Sequence, residues 1–280
     1  MKKIGVVGAG TMGSGIIQTF AEKGFDVLAY ENNTSARAYA QTRICKFVAK
    51  RAEKGQISNE QADQTISRVQ WCEELRELRD AEFVIEAVLE NFDLKKDLFV
   101  ELDQLTASEV ILASNTSSIS VTRIASVTRK PDRCIGMHFM NPVPLMPLVE
   151  IIRGHVTSDE TYKTTEQLAM DLGKKPVEVN DYPGFVSNRI LMPMINEAIY
   201  ALWEGVGSRE AIDQVMKLGM NHPMGPLELA DFIGLDICLA IMNVLHEGFS
   251  DSKYRPCPLL KKMVDAGHLG RKSGRGFYSY

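Results

Sequence analysis

Residues 3–16 read KIGVVGAGTMGSGI, and the folding of this stretch decides the architecture of the amino-terminal part of the chain. Lys3 to Val7 is a short apolar run of strand character. It leads into Gly8-Ala9-Gly10-Thr11-Met12-Gly13, the spacing GxGxxG. Ile16, Ile17, Phe20 and Ala21 then recur at helical spacing until Gly24, which is placed to end a helix. Phe25 to Tyr30 reads as a second strand, so that strand, glycine turn, helix and strand form one βαβ unit. In that context Gly8 permits the tight turn, Gly10 lets the backbone approach a pyrophosphate, and Gly13 lets the helix lie close to the strand. The first N–H groups of the helix, at Thr11, Met12 and Gly13, supply a partial positive charge suited to phosphates. The plainer alternative is a glycine-rich turn of structural use only.

Glu31 ends the second strand. A carboxylate there accepts hydrogen bonds from both hydroxyls of an adenosine ribose and repels a 2′-phosphate, which favours NAD over NADP. Arg37 is close enough in sequence to accommodate such a phosphate, so NADP stays open, as does a merely solvated strand-end acid at 31.

Further along, residues 34–70 are polar and helix-prone, and read as two helices joined near Gly55. Residues 83–88 form another strand, followed by a helix from about Leu94 to Leu105 and a short strand from Val110 to Ala113. Residues 134–139 and 148–152 are two more strands, separated by Asn-Pro-Val-Pro-Leu-Met-Pro, whose prolines demand an irregular loop. A helix over 159–172 and a strand over 177–179 complete this part. Beyond Asp181-Tyr-Pro-Gly184 strand signals cease, and helical patterns run over 186–204, 208–218, 226–247 and 257–266. The reading is a doubly wound, Rossmann-type α/β domain over 1–183, binding the dinucleotide, and an all-helical domain over 184–280 for substrate and dimerisation.

Composition removes several classes of function. A formal net charge of −4 argues against a nucleic-acid partner, which demands a basic face. The five cysteines include no CxxC pair and none beside a histidine at ligand spacing, so they read as reduced cytosolic thiols and give no metal site. No apolar run approaches the ~20 residues of a membrane span. Met1-Lys2-Lys3 leads directly into the glycine motif, unlike a signal peptide. A cytoplasmic protein is expected.

His138 and Glu150 are the candidates for chemistry. Glu150 lies inside Leu148-Val-Glu-Ile-Ile152, where a carboxylate is costly without a partner. If the proline-rich loop folds back, the strand carrying Glu150 meets the strand carrying His138. The carboxylate then holds one ring nitrogen, fixes the tautomer and supports positive charge on the ring. That pair suits alcohol oxidation, the imidazole taking the hydroxyl proton as hydride leaves carbon, and returning it in the reverse direction. A core histidine with a satisfied hydrogen bond is the bland alternative, and His222 has similar bare strength. Glu90 and Lys95, after the strand at 83–88, border the expected cofactor crevice; a solvated pair at a helix start is the alternative. Ser114-Asn115-Thr116-Ser117-Ser118 offers a cluster of donors at a strand's carboxyl end, or a simple polar turn.

GAGTMGSGI at 8–16, EAVLEN at 86–91, SNTSS at 114–118, GMHFMNPVPLMPLVE at 136–150, DYPGFVSNRI at 181–190, NHPMGPLELADFIGLD at 221–236 and RKSGRGFYSY at 271–280 together resemble the 3-hydroxyacyl-CoA dehydrogenase family, in its short-chain, 3-hydroxybutyryl-CoA type. The resemblance implies that acetoacetyl-CoA and (S)-3-hydroxybutyryl-CoA are interconverted with NAD. It implies that His138 and Glu150 are the catalytic pair, that Ser117 touches the substrate oxygen near the nicotinamide, and that Asn188 orients the substrate carbonyl. Glu90, Lys95, Asn115, Asn141 and Lys272 are then cofactor contacts. Lys50 and Lys54, on the basic helical arm, are the nearest candidates for CoA, or a solvated charged face. A homodimer through the carboxyl-terminal helices is expected. The chain departs from the family in having Glu31 where aspartate is frequent, and in the stretch Tyr30-Glu-Asn-Asn-Thr34. Two other functions stay open at this point: a 3-hydroxyacid dehydrogenase acting on a non-CoA substrate, and a non-catalytic NAD-binding protein.

Overall fold

A computed structural model describes all 280 residues. Its contacts divide the chain into two compact units, Met1–Asp181 and Tyr182–Tyr280.

The first unit is built on β1 (Lys3–Val7), α1 (Thr11–Glu22) and β2 (Asp26–Tyr30). There follow α2 (Thr34–Glu53), α3 (Asn59–Ser67), β3 (Val69–Cys72), β4 (Phe83–Glu86), α4 (Phe92–Leu105), β5 (Ile111–Ser114), α5 (Val121–Ala125), β6 (Cys134–Phe139), β7 (Leu148–Arg153), α6 (Asp159–Asp171) and β8 (Lys175–Asn180). The eight strands form one sheet in the order β3-β2-β1-β4-β5-β6-β7-β8. Every neighbouring pair is parallel except β6 with β7. The order from β3 to β6 is doubly wound, with its switch point between β1 and β4. Helices cover both faces, so the central strands are buried on both sides and read as continuous apolar runs. Ile4 and Val6 of β1 join the core beneath α1, with Ile16, Ile17 and Phe20, whereas Val7 joins the opposite core with Val84, Phe99 and Leu102.

Local sequence sets the boundaries. Asn33, Asn91 and Ser158 cap α2, α4 and α6 with side-chain oxygens, and Ser58 with Gln61 forms a capping box on α3. One element differs from the reading of 34–70 as helical throughout: Val69–Cys72 is the edge strand β3. Four residues alternating with helix-like polar sequence carry too little period to be seen, and pairing with β2 decides their conformation.

The second unit is all helical: α7 (Ser187–Trp203), α8 (Arg209–Gly219), α9 (Pro226–Ile233), α10 (Leu235–Phe249) and α11 (Pro258–Asp265). The single helical pattern expected over 226–247 is in fact two helices, bent by 98° between α9 and α10. Gly234, at φ 107°, makes the corner, a backbone conformation closed to other residues at ordinary cost. Leu227, Ala230, Leu235, Cys238 and Met242 turn inward from the two arms onto Met192, Ile195 and Ile199 of α7. The carboxyl-terminal segment is held by Asp231, whose buried carboxylate accepts the N–H groups of Phe277 and Tyr278, each at 2.9 Å. No single helix is long and apolar enough to cross a membrane.

Candidate active site

At the carboxyl end of β1 the chain turns at Gly8, φ 91°, where a side chain would press on the Ala87 carbonyl at 2.7 Å. A Cβ on Gly13 would collide with the Gly8 carbonyl, so α1 can start this close to β1 only with glycine there. The space beside Gly10 is the reverse: a Cβ would meet nothing within 4 Å. Gly10 is the N-cap of α1, makes no side-chain cap, and no acidic residue stands in the first turn. The N–H groups of Thr11, Met12 and Gly13 thus face a cradle that a side chain would fill and a pyrophosphate fits. Glu31 stands beside the same turn, with Oε2 accepting the Ala9 N–H at 2.9 Å and Oε1 accepting the Asn33 N–H at 3.1 Å. Arg37 points elsewhere: its guanidinium donates to the Cys72 carbonyl at 3.1 Å and to Glu73 at 2.9 Å. A 2′-phosphate therefore meets a carboxylate and no disengaged arginine, and the residues present fit NAD.

The loop after β5 is organised by one carboxylate from the segment after β4, Glu90. Glu90 Oε1 accepts from the Thr116 hydroxyl (2.6 Å), the Ser117 N–H (2.9 Å), and the Ser118 N–H and hydroxyl (both 3.0 Å), with the Ser117 hydroxyl at 3.3 Å. Burial pushes the Glu90 carboxyl up, but the Lys95 ammonium and these donors outweigh it and hold it below the usual range. Its contribution to stability is therefore complete above the ordinary glutamate value and lost as pH falls through the lower folded value. Lys95 is buried, 1% exposed, and its Nζ lies 2.5 Å from Glu86 Oε1 and 3.4 Å from Glu90 Oε2. The burial of Lys95 does not fit a solvated helix-start pair, while the Glu90 side chain keeps 35% of its surface exposed. Glu86 was not singled out from sequence, although it sits in Phe-Val-Ile-Glu-Ala-Val, the same signal of a carboxylate in an apolar run that drew attention to Glu150. Its second oxygen accepts the Ser114 hydroxyl at 2.6 Å. Asn115 reaches the next strand, its Oδ1 accepting the Phe139 N–H at 2.9 Å, which ties the serine loop to the residue after His138.

His138 and Glu150 stand directly opposite each other in the antiparallel ladder of β6 and β7. Nδ1 lies 2.8 Å from Glu150 Oε2, and the two side chains are 10% and 3% exposed. Beside a carboxylate Nδ1 is the donor, which leaves the Nε2 lone pair as the basic position. Between the two strands runs the loop 140–147, with exposed Asn141 followed by a cis bond to Pro142.

Of the other residues named from sequence, Lys50 lines an open groove of about 300 Å³ on α2 with Tyr39, Thr42, Arg43, Lys46 and Phe47, while Lys54 lies beyond it as the α2 C-cap. In the second unit Asn188 is buried in the first turn of α7, and Lys272 is paired with Asp236 at 2.5 Å.

A glycine cradle at a helix start, a carboxylate beside it, and an imidazole–carboxylate pair at the carboxyl end of the same sheet define the class: a nicotinamide-dinucleotide-dependent oxidoreductase. Comparison with known proteins makes this particular. Residues 3–182 match the 3-hydroxyacyl-CoA dehydrogenase NAD binding domain, and residues 184–280 match the carboxyl-terminal domain of the same family. The chain is 58% identical to a probable 3-hydroxybutyryl-CoA dehydrogenase of Bacillus subtilis, over 100% of this chain and 98% of the relative. It is 52% identical to the 3-hydroxybutyryl-CoA dehydrogenase of Bradyrhizobium diazoefficiens, over 100% and 96%. The crystal structure of (S)-3-hydroxybutyryl-CoA dehydrogenase from Ralstonia eutropha superposes with a TM-score of 0.98 at 48% identity, covering 100% of this chain and 99% of that one. The chain belongs to the 3-hydroxyacyl-CoA dehydrogenase family, and its cofactor is NAD.

Proposed function

We propose that the protein interconverts acetoacetyl-CoA and (S)-3-hydroxybutyryl-CoA, with His138 and Glu150 handling the proton. The observation that carries this reading is the cross-strand pair itself: an imidazole and a carboxylate 2.8 Å apart, both nearly enclosed, at the carboxyl end of a dinucleotide-binding sheet. Bound NAD supplies or accepts the hydride at carbon 3 of the acyl group. His138 takes the proton of the 3-hydroxyl at Nε2 on oxidation and returns it to the 3-oxo oxygen on reduction. Glu150 keeps the ring oriented through Nδ1 and stabilises the charge it carries between those events. Ser117, in the loop gathered by Glu90, and Asn188 keep the roles the resemblance gives them, one touching the substrate oxygen and the other orienting the substrate carbonyl. Asn141 and Lys272 are assigned to the cofactor on the same ground.

CoA brings three phosphate groups, and the groove on α2 supports their recognition: Arg43, Lys46 and Lys50 surround the apolar faces of Tyr39 and Phe47. This moves the expected contact from the Lys50–Lys54 pair to Lys50 and its neighbours one and two turns earlier. NADH absorbance is expected to fall when acetoacetyl-CoA is added, and to stay unchanged with free acetoacetate at the same concentration. Absence of turnover with the thioester would overturn the assignment. Replacing Lys46 and Lys50 together by alanine is expected to raise KM for acetoacetyl-CoA about tenfold, equivalent to about 1.4 kcal/mol, and to leave KM for a short pantetheine-type thioester unchanged.

A second copy of the chain is the proposed partner. The helical unit carries an apolar cleft of about 440 Å³ lined by Met194, Ala198, Ala201, Ile212 and Val215. Val206 and Leu218 are 76% and 85% exposed on the same unit, and an apolar surface of this kind marks an interaction site. Sedimentation equilibrium is expected to give twice the chain mass; a monomer at micromolar concentration would remove this part of the proposal.

A further inference from the structure

Lys174 is a buried lysine that none of the site residues accounts for. It follows the turn that ends α6 and immediately precedes β8, and it is 8% exposed. Its Nζ donates to the carbonyls of Val143, at 2.5 Å, and Met146, at 2.8 Å. The backbone N–H of its neighbour Lys175 donates to the Pro147 carbonyl at 2.7 Å. Two consecutive lysines thus hold three carbonyls of the loop 140–147, one of them through a buried charge.

The opposite side of the loop rests on the cofactor helix. Val143 is 2% exposed and lies against Gly15 of α1, where a Cβ would stand 2.9 Å from the Val143 Cβ. Gly15 is two positions beyond Gly13. The loop is therefore clamped between the helix whose first turn faces the pyrophosphate and the ammonium of Lys174. The same loop connects His138 to Glu150.

An ammonium is an expensive way to hold two carbonyls. Burial pushes its pKa down, the charge of Lys23 acts in the same direction, and the one carboxylate that opposes them, Glu22, is itself bound by Arg51 at 2.6 Å and Gln18 at 2.8 Å. A backbone turn closes part of the loop without help, since the Leu145 and Met146 N–H groups both donate to the Pro142 carbonyl. What Lys174 adds is the position of the loop relative to α1.

We propose that Lys174 is a positioning residue for cofactor binding: its buried ammonium presses the 140–147 loop against α1 and sets the shape of the NAD site, without entering the proton step. The catalytic pair does not depend on this clamp. Gly136, Met137, His138 and Phe139 are paired with Ile152, Ile151, Glu150 and Val149 through the ladder, which holds His138 opposite Glu150 whatever the loop does. The expected signature is a change in cofactor affinity with turnover preserved. The inference rests on the NAD site and not on the choice of acyl substrate.

The test is NADH affinity measured by fluorescence titration in the absence of any acyl-CoA, followed by steady-state kinetics. K174M is expected to weaken NADH binding and to raise its KM about tenfold, with kcat changed by less than about threefold, the scale of effect seen when a supporting residue is lost from a preorganised site. K174R, which keeps the charge and the donors, is expected to recover at least half of the loss on a logarithmic scale. Val143→Ala, which loosens the loop from the α1 side and leaves the buried charge alone, is expected to weaken NADH about threefold with kcat unchanged. This variant keeps the test decisive if K174M does not fold. NADH affinity within twofold of the parent in K174M, or in Val143→Ala where K174M is unfolded, overturns the proposal. So does a K174R indistinguishable from K174M, or a K174M that loses kcat at unchanged NADH affinity. Failure of the acyl-CoA assignment leaves NADH titration intact, so the two ideas fail separately.

Discussion

His138→Ala is expected to lower turnover by about 10³, within the roughly 10²–10⁴ range for loss of a general acid–base group, while NADH still binds. The expectation follows from where the side chain sits. Its backbone stays in the β6–β7 ladder, so the sheet survives, and the nucleotide cradle at Gly8 to Gly13 is on a different strand. What disappears is the ring nitrogen proposed to exchange a proton with a 3-hydroxyl group. Glu150 loses a partner in a buried position, so a second variant separates chemistry from stability: His138→Gln keeps a donor toward the carboxylate and is expected to be as inactive, with less loss of thermal stability. Glu150→Gln is expected to fall by roughly 10², because an amide still contacts Nδ1 but no longer offsets charge on the ring. Single-turnover NADH oxidation with saturating acetoacetyl-CoA checks all three. Near-normal rates in His138→Ala would discard the imidazole as the proton carrier.

The pairing of His138 with Glu150 was legible as one of two readings because two constraints met in the same segment, and the family resemblance made it the expectation. Prolines at 142, 144 and 147 forced a loop between two strand patterns, and a carboxylate in an apolar run required a partner. An antiparallel return then leaves little freedom, since a shift of one residue would turn Glu150 to the other face of the sheet. The cofactor turn was legible for a similar reason: three glycines in fixed spacing after a strand have few other uses. By contrast, Lys174 follows α6 in Gly173-Lys174-Lys175, which reads as an ordinary polar turn. Nothing local says that the first of two lysines is buried while the second is exposed. Partners 28 and 31 positions away decide it. The corner at Gly234 was hidden differently. Apolar period continues through it, from Leu227 and Ala230 to Cys238 and Met242, so pattern alone predicts one helix. Only the backbone requirement at the glycine breaks it.

Glu86 and Lys95 supply the largest expected effect on stability. Their side chains are 0% and 1% exposed, and the contact of 2.5 Å lies beneath the loop that carries Ser117. Removing one charge of such a pair leaves the other buried without compensation, at a cost of about 3–5 kcal/mol. Glu86→Gln strands an ammonium, which has only Glu90 to turn to, and a stronger pull on Glu90 competes with the serine loop. At about 2–4 °C per kcal/mol, this variant is expected to melt roughly 6–20 °C lower. Lys95→Met is expected to cost less at acidic pH, because its stranded group can take up a proton. Burial already pushes the Glu86 carboxyl up, and loss of the lysine pushes it further. A carboxyl whose folded pKa lies above its unfolded value contributes stability that is full below the unfolded value and lost as pH rises toward the folded one. The melting temperature of Lys95→Met relative to the parent should therefore fall with rising pH once Glu86 ionises in the parent, which lies above the ordinary glutamate value, while the deficit of Glu86→Gln shows no such fall. Glu86→Leu combined with Lys95→Met removes both charges and is expected to be more stable than either single charge deletion at neutral pH, since neither partner is left unpaired. Denaturant melts of the four proteins at two pH values measure the coupling. Additive losses in the double variant would mean that the two side chains are stabilised separately, and that their contact is a consequence of packing and not its support.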